Sequence, residues 1–205
     1  MRMAKAMGKT RSMVVTSAMV AVLIGTVGMV GSARAGGEVS VGAGVLPGGS
    51  FEVMMSGQSA GASMDTGFLV TGTAGSWLSR QVRLAATVAL VPSVRTEADS
   101  DDASAARMLS PGVRVDGLRA LGVSGGLYAF GAVGFSHLFL PGSDHDGNGV
   151  MVSGGIGGRF QMSPELDGFV EAGYVWSTHR VVQRGNDPRV DIDYFLLSAG
   201  LALDL

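Results

Sequence analysis

The sequence predicts an all-β protein, an eight-stranded antiparallel up-and-down transmembrane β-barrel. The last stretch, residues 193–205, alternates between apolar side chains and a smaller, more polar set, which is the period of a strand with one apolar face. Seven further segments read as strands, six of them with the same alternation, and the connections between them are long and short in turn. Finally, 33 of the 205 residues are Gly, against an average of about 7%. Gly weakens helices, whereas barrels use it where strands bend or crowd.

The first 35 residues are predicted to be a cleaved signal peptide, which leaves residues 36–205 as the barrel domain. Four basic residues precede an apolar run at 13–30, and Ala33-Arg34-Ala35 forms a small-residue cleavage site. The alternative is an uncleaved N-terminal anchor, because the apolar run is about long enough to span a membrane.

Charge and composition narrow the class of protein. Residues 36–205 carry ten Arg, no Lys and 17 acidic residues, a net charge of −7, which argues against nucleic acid as a partner. The chain has no Cys, so it has neither disulfides nor thiol chemistry. After residue 35 no apolar run reaches the roughly 18 residues of a membrane helix. The chain would therefore cross a membrane as strands.

The first half of the domain contains four predicted strands. In order they are residues 38–46, 66–76, 82–91 and 107–117. The third is the clearest, with apolar side chains from Val82 to Leu90 on one face and Arg83 on the other. Residues 47–64 are rich in Ser, Gly and Met and are predicted mainly as a long loop; the alternative is that residues 51–55 prolong a hairpin arm. Residues 92–106 are predicted to be an acidic loop.

The second half contains the other four predicted strands. In order they are residues 125–140, 150–160, 168–178 and 193–205. The segment 125–140 is apolar on both faces, so its facing is not assigned. The short connections lie near Ser79, Leu121 and Pro164, and the long ones hold most of the acidic residues. This is the pattern of an outer-membrane barrel, with short periplasmic turns and longer external loops. A soluble sandwich also alternates, but it does not need four long polar loops at one end.

One hairpin carries a family resemblance. GGIGGRFQMSP followed by DGFVEAGYVW resembles the penultimate hairpin of the eight-stranded outer-membrane barrels, the outer membrane protein A-like and opacity-protein-like domains. The chain departs from that family at Leu205, where the family usually ends in Phe. The resemblance implies a location in the outer membrane of a Gram-negative bacterium. It also implies insertion by the barrel-assembly machinery and contact with outer-membrane lipid and lipopolysaccharide. It implies no single activity, since this fold hosts several.

The inward faces of the strands predict a charge network inside the barrel. By the alternation, its members are Arg83, Arg114, Asp116, Arg159 and Glu171. An eight-stranded barrel is just wide enough to be filled by side chains, and buried charges need partners. We therefore predict a filled lumen, and the alternative is a narrow passive channel, porin-like in kind.

A short acidic motif is a candidate cation site. Residues 144–149 read D-x-D-x-N-G, the opening half of a calcium loop, with Asp144, Asp146 and Asn148 as the candidate oxygen ligands. The twelfth position is Gly155 instead of Glu, so an ordinary polar loop is the alternative. Calcium or another divalent cation is the only cofactor that the sequence suggests.

Ser and His residues raise the possibility of a lipid-modifying barrel enzyme. Ser136 and His137 are adjacent in a strand and point to opposite faces, so they cannot form a dyad. Ser177 and His179 share a face, but the sequence identifies no acidic partner for them. We therefore predict no catalytic residues and no enzymatic activity. The expected function is structural or surface interaction by a filled barrel with acidic external loops.

Overall fold

The computed structural model describes residues 36–94, 106–121, 125–140, 146–181 and 188–205. The predicted signal peptide lies outside these residues. Within them, no helix is long and apolar enough to cross a membrane.

The described chain folds into ten antiparallel strands. They are β1 (Gly37–Leu46), β2 (Gly49–Met55), β3 (Gln58–Met64), β4 (Gly67–Trp77), β5 (Val82–Val94), β6 (Ala106–Ala120), β7 (Gly125–Phe139), β8 (Gly147–Gln161), β9 (Leu166–Val181) and β10 (Arg189–Asp204). Eight of them form the barrel in the order β1-β4-β5-β6-β7-β8-β9-β10, and β1 closes it against β10. The closing pairs run from Glu38–Asp204 to Val45–Leu197. The predicted eight-stranded up-and-down barrel is confirmed.

The prediction of a long loop at residues 47–64 is wrong. These residues form the β2–β3 hairpin, with Met55 paired to Gln58 across a two-residue turn. Ser56 and Gly57 in this turn have φ values of 50° and 83°, the left-handed backbone that tight hairpin turns require. β2 also pairs with residues 189–194 of β10, so it extends the barrel wall beyond β1. The small side chains of β3 hid its alternation in the sequence.

Several strands are longer at their external ends than the alternation indicated. β8 begins at Gly147, β9 runs to Val181 and β10 begins at Arg189. Outward side chains at these ends are polar, as in Arg180 and Asp191. The strands therefore continue beyond the apolar belt, where the outward face is polar and the lumen face is apolar, the reverse of the pattern within the belt.

An apolar belt covers the outer face of the barrel. Its most exposed members include Phe135 at 76%, Ile156 at 68% and Phe68 at 63%. The structure also settles the facing of β7, which points Val133 outward and Phe130 and Leu138 into the lumen. An outward apolar band on a closed barrel is the surface that faces lipid in a transmembrane barrel.

Candidate functional site

The lumen holds a network of buried charges in its periplasmic half. Arg114 donates from Nε to Asp116 Oδ1 at 2.7 Å and from Nη1 to Glu171 Oε2 at 3.3 Å. Its guanidinium also lies 4.2 Å from the centre of the Phe130 ring. Glu171 also accepts from the Tyr128 hydroxyl at 2.6 Å. Arg114 therefore links β6 to β9 across the lumen.

Arg83 and Arg159 extend this network through a carboxylate that the sequence analysis missed. Arg83 Nη1 lies 3.0 Å from both Asp116 and Glu38. Glu38 is 0% exposed and also accepts from Arg159 Nη1 at 2.5 Å, while Arg159 Nε contacts Asp167. The alternation of the first strand carried the signal, because Glu38 shares its inward face with Ser40.

The five charged residues named from the sequence all lie on the inward face of the barrel. Four of them (Arg83, Arg114, Asp116 and Glu171) are buried, and Arg159 is partly buried at the periplasmic mouth. With Glu38 added, three Arg face three buried carboxylates, and Asp167 at the mouth is a further partner of Arg159. Balanced pairing is what makes buried charge tolerable.

The two Trp residues occupy different environments. Trp77 faces the lumen, where its Nε1 donates to Glu38 at 3.2 Å and Arg159 lies 5.6 Å from its ring centre. Its inward direction follows from β4, whose lumen face ends on Trp77. Trp176 points outward beside Tyr174, at the level where the apolar belt ends.

The charged half of the lumen is nearly closed. The network surrounds a cavity of about 20 Å³, which has room for about one water molecule. Aromatic rings fill the space beside it, since a Cβ at Gly155 would lie 2.7 Å from the Phe130 ring. The Gly-rich inner face of β8 is therefore the space that the aromatic side chains occupy.

The external half of the lumen is filled by an apolar cluster. Its largest fully buried members include Tyr194, Leu46, Met108, Leu138 and Ile192. Phe51 and Val53 of β2 pack against this cluster. The inside of the barrel thus has two layers, a charged one toward the periplasm and an apolar one toward the exterior. The sequence analysis assigned only the charged layer.

A row of polar side chains crosses the apolar layer. His179 Nε2 lies 2.8 Å from Ser136 Oγ, which lies 2.9 Å from Ser110 Oγ. The strand between them contributes Gly149, paired with both Ser136 and His179, so no side chain blocks the bond. Ser177 donates instead to the carbonyl of Ile192 at 3.3 Å. All of these side chains are at most 2% exposed, so a substrate has no access to them in this conformation.

The candidate cation ligands lie at the external end of β8. Asn148 Oδ1 is 2.6 Å from His137 Nδ1, and Asp146 Oδ2 is 3.5 Å from His137 Nε2. Asp144 lies outside the described residues. The two oxygens therefore meet opposite nitrogens of one imidazole ring. From Gly147 onward the chain is a strand, which places Gly155 on the lumen face. Binding of calcium or another divalent cation by Asp144, Asp146 and Asn148 stays a prediction.

The closed barrel and its apolar belt together define an outer-membrane β-barrel protein. No protein-family model and no curated protein sequence matches the chain. Among solved structures, Neisserial surface protein A is similar, with a TM-score of 0.54 and 16% identity over 82% of this chain and 96% of that one. The outer membrane protein AlkL is similar with a TM-score of 0.51 and 13% identity over 85% and 92%.

At the level of the fold, the chain is one of the small eight-stranded outer-membrane barrels, and the resemblance found in the sequence is confirmed to that extent. The outer-membrane location predicted from the sequence is that of the solved barrels whose fold it shares. Identities of 13–16% carry the fold and no activity.

Proposed function

We propose that this protein is a non-conducting outer-membrane barrel that acts at the cell surface, through the hairpin and loops at its external end. The observation that carries the proposal is the filling of the lumen in two layers. Neither layer resembles the polar, water-filled interior of a porin.

Each layer opposes ion passage by a different physical effect. In the charged layer, Arg114 and Glu171 bond to each other across the lumen, so a passing ion would have to break buried pairs. In the apolar layer, an ion would lose its water with no compensating partner, which costs many kcal/mol. A narrow passive channel would need both layers to move.

The external end is where the chain departs from a minimal barrel. The β2–β3 hairpin extends the wall there, and by sequence residues 97–102 add Glu97, Asp99, Asp101 and Asp102 between β5 and β6. A rigid barrel that carries connecting segments at one end is a scaffold for contacts with other molecules.

Planar bilayer recording tests the proposal. Purified protein, refolded and checked by heat-modifiable gel mobility, should give no stable current steps. A porin of known conductance, added afterwards to the same bilayer, shows that a channel would have been detected. Stable steps of porin size from the purified protein would overturn the proposal.

We further infer that the barrel-assembly machinery inserts this chain into a membrane containing lipopolysaccharide. The alternating apolar face of β10, exposed at Leu201 and Leu203, supports this inference. Depletion of the assembly machinery should leave the protein unfolded, so that it is sensitive to protease and its gel mobility does not change on heating. Normal folding in depleted cells would contradict it.

A further inference from the structure

Strand β3 has the least protected edge in the described part of the chain. One of its edges pairs with β2, and within the described ranges the other edge pairs with no strand. β3 reads QSAGASM, with no charge and no Pro, and its first four residues are all exposed. Proteins usually protect such an edge with charge, Pro or a bulge, because a free edge is a template for another strand.

The tight turn determines which backbone groups face this free edge. In a two-residue hairpin the flanking residues, here Met55 and Gln58, form a hydrogen-bonded pair. Bonded pairs then alternate along the strands, so Ala60 and Ala62 direct their N–H and C=O groups to β2. The alternate residues Ser59, Gly61 and Ser63 direct these groups to the free edge.

The sequence of this edge is self-complementary. Residues 59–63 read Ser-Ala-Gly-Ala-Ser, the same in both directions. A two-fold axis midway between the Gly61 residues of two copies places Gly61 opposite Gly61 and Ser59 of one copy opposite Ser63 of the other. These are the residues whose backbone groups are free, so every such pair can be of the hydrogen-bonded type. The side chains are small, and they present no charge to one another.

We propose that β3 is a homophilic docking edge, which pairs antiparallel with β3 of a second copy about a two-fold axis at Gly61. The inference rests on the proposed function, since it names the partner of the external surface. The two-fold axis of an antiparallel pair is perpendicular to the sheet. Because β2 continues the wall along residues 189–194, the two barrels then point in opposite directions. The contact therefore joins copies in two facing outer membranes. Each contact is small, and many copies on each surface add avidity.

Cysteine cross-linking tests the register, because the chain has no Cys of its own. The variants Gly61→Cys, Ser59→Cys and Ser63→Cys are reconstituted separately into vesicles, and the vesicles are mixed under mild oxidation. Gly61→Cys should form disulfide dimers, as should Ser59→Cys mixed with Ser63→Cys. Ser59→Cys alone should not, since its two copies lie roughly 13 Å apart along the strand, beyond disulfide reach.

Glu52→Cys is the matched control. Glu52 pairs with Gly61 across the hairpin, at the same height but away from the free edge, so it should give no dimer. Dimers of Ser59→Cys or Glu52→Cys as abundant as those of Gly61→Cys would overturn the register. No dimer of Gly61→Cys would overturn the contact, including the case in which another segment of the same chain covers β3.

Vesicle clustering, followed by light scattering, tests the contact without a cross-link. Wild-type vesicles should cluster. Gly61→Pro, which removes an edge N–H and no bond to β2, should abolish clustering, and Gly61→Ser should retain it. Ion flux is measured on the same vesicles. Flux would overturn the non-conducting barrel and leave the contact standing, whereas a lack of clustering without flux would overturn only the contact.

Discussion

Replacing Arg114 with Met should be among the most destabilising single changes inside the barrel. The guanidinium bonds to Asp116 and Glu171, which are 3% and 8% exposed, and it lies over Phe130. The variant leaves a net negative charge in the interior. Breaking a buried pair from one side costs about 3–5 kcal/mol, and loss of the cation–π contact adds about 1 kcal/mol. We expect the free energy of unfolding to fall by about 4 kcal/mol, because Arg83 and Tyr128 still bond to the two carboxylates.

A double-mutant cycle with Glu171→Gln isolates the pair. Each single variant changes the net charge of the interior by one unit, whereas the double variant removes one charge of each sign and leaves Arg83 and Arg159 facing Glu38 and Asp116. The double variant should therefore lose at least about 2 kcal/mol less than the sum of the singles. Urea unfolding of the barrel in lipid vesicles, followed by Trp fluorescence, measures all four proteins. A loss below about 1 kcal/mol for Arg114→Met, or additive losses in the cycle, would refute the reasoning.

Two further predictions concern the row across the apolar layer and the belt. Gly149→Ala should lower the free energy of unfolding in urea by about 3 kcal/mol or more, because its Cβ would overlap the Thr178 carbonyl. Gly158→Ala is the control, since the atoms nearest to its Cβ are 3.7 and 4.0 Å away, and it should change stability by less than about 1 kcal/mol. Equal effects of the two variants would contradict the packing described. Ile156→Arg should cost about 2–4 kcal/mol in lipid, whereas Met162→Arg at the periplasmic turn should cost about 0–1 kcal/mol; similar costs would mean that Ile156 does not face hydrocarbon.

The facing of most strands could be predicted from the sequence because lipid and lumen impose opposite chemistry on alternate residues. Val113 and Arg114 lie on opposite faces for this reason, as do Val170 and Glu171. The same signal fails where both faces are apolar. In β7 the lumen face carries Phe130 and Leu138, which are as apolar as the belt, so alternation contains no information there.

The hairpin at 47–64 and the role of Trp77 were not predictable from the same signal. β2 and β3 lie above the belt, where no lipid enforces an apolar outer face, and their pairing depends on the turn at Ser56. Trp77 is an aromatic residue at a strand end, a position typical of membrane interfaces. Trp77 points inward because side chains alternate along β4 and its position falls on the lumen face. There its Nε1 donates to the carboxylate of Glu38.

The sequence by itself determined the class of architecture and the face on which most charged residues lie, because the two-residue period of a strand is local and survives without any partner. Only the tertiary structure decided which charges meet. Arg114 and Glu171 are 57 residues apart, and their bond depends on the register of every strand between them around the closed barrel. The apolar layer and the row that ends on His179 arise in the same way, since each exists only where strands distant in sequence are brought side by side.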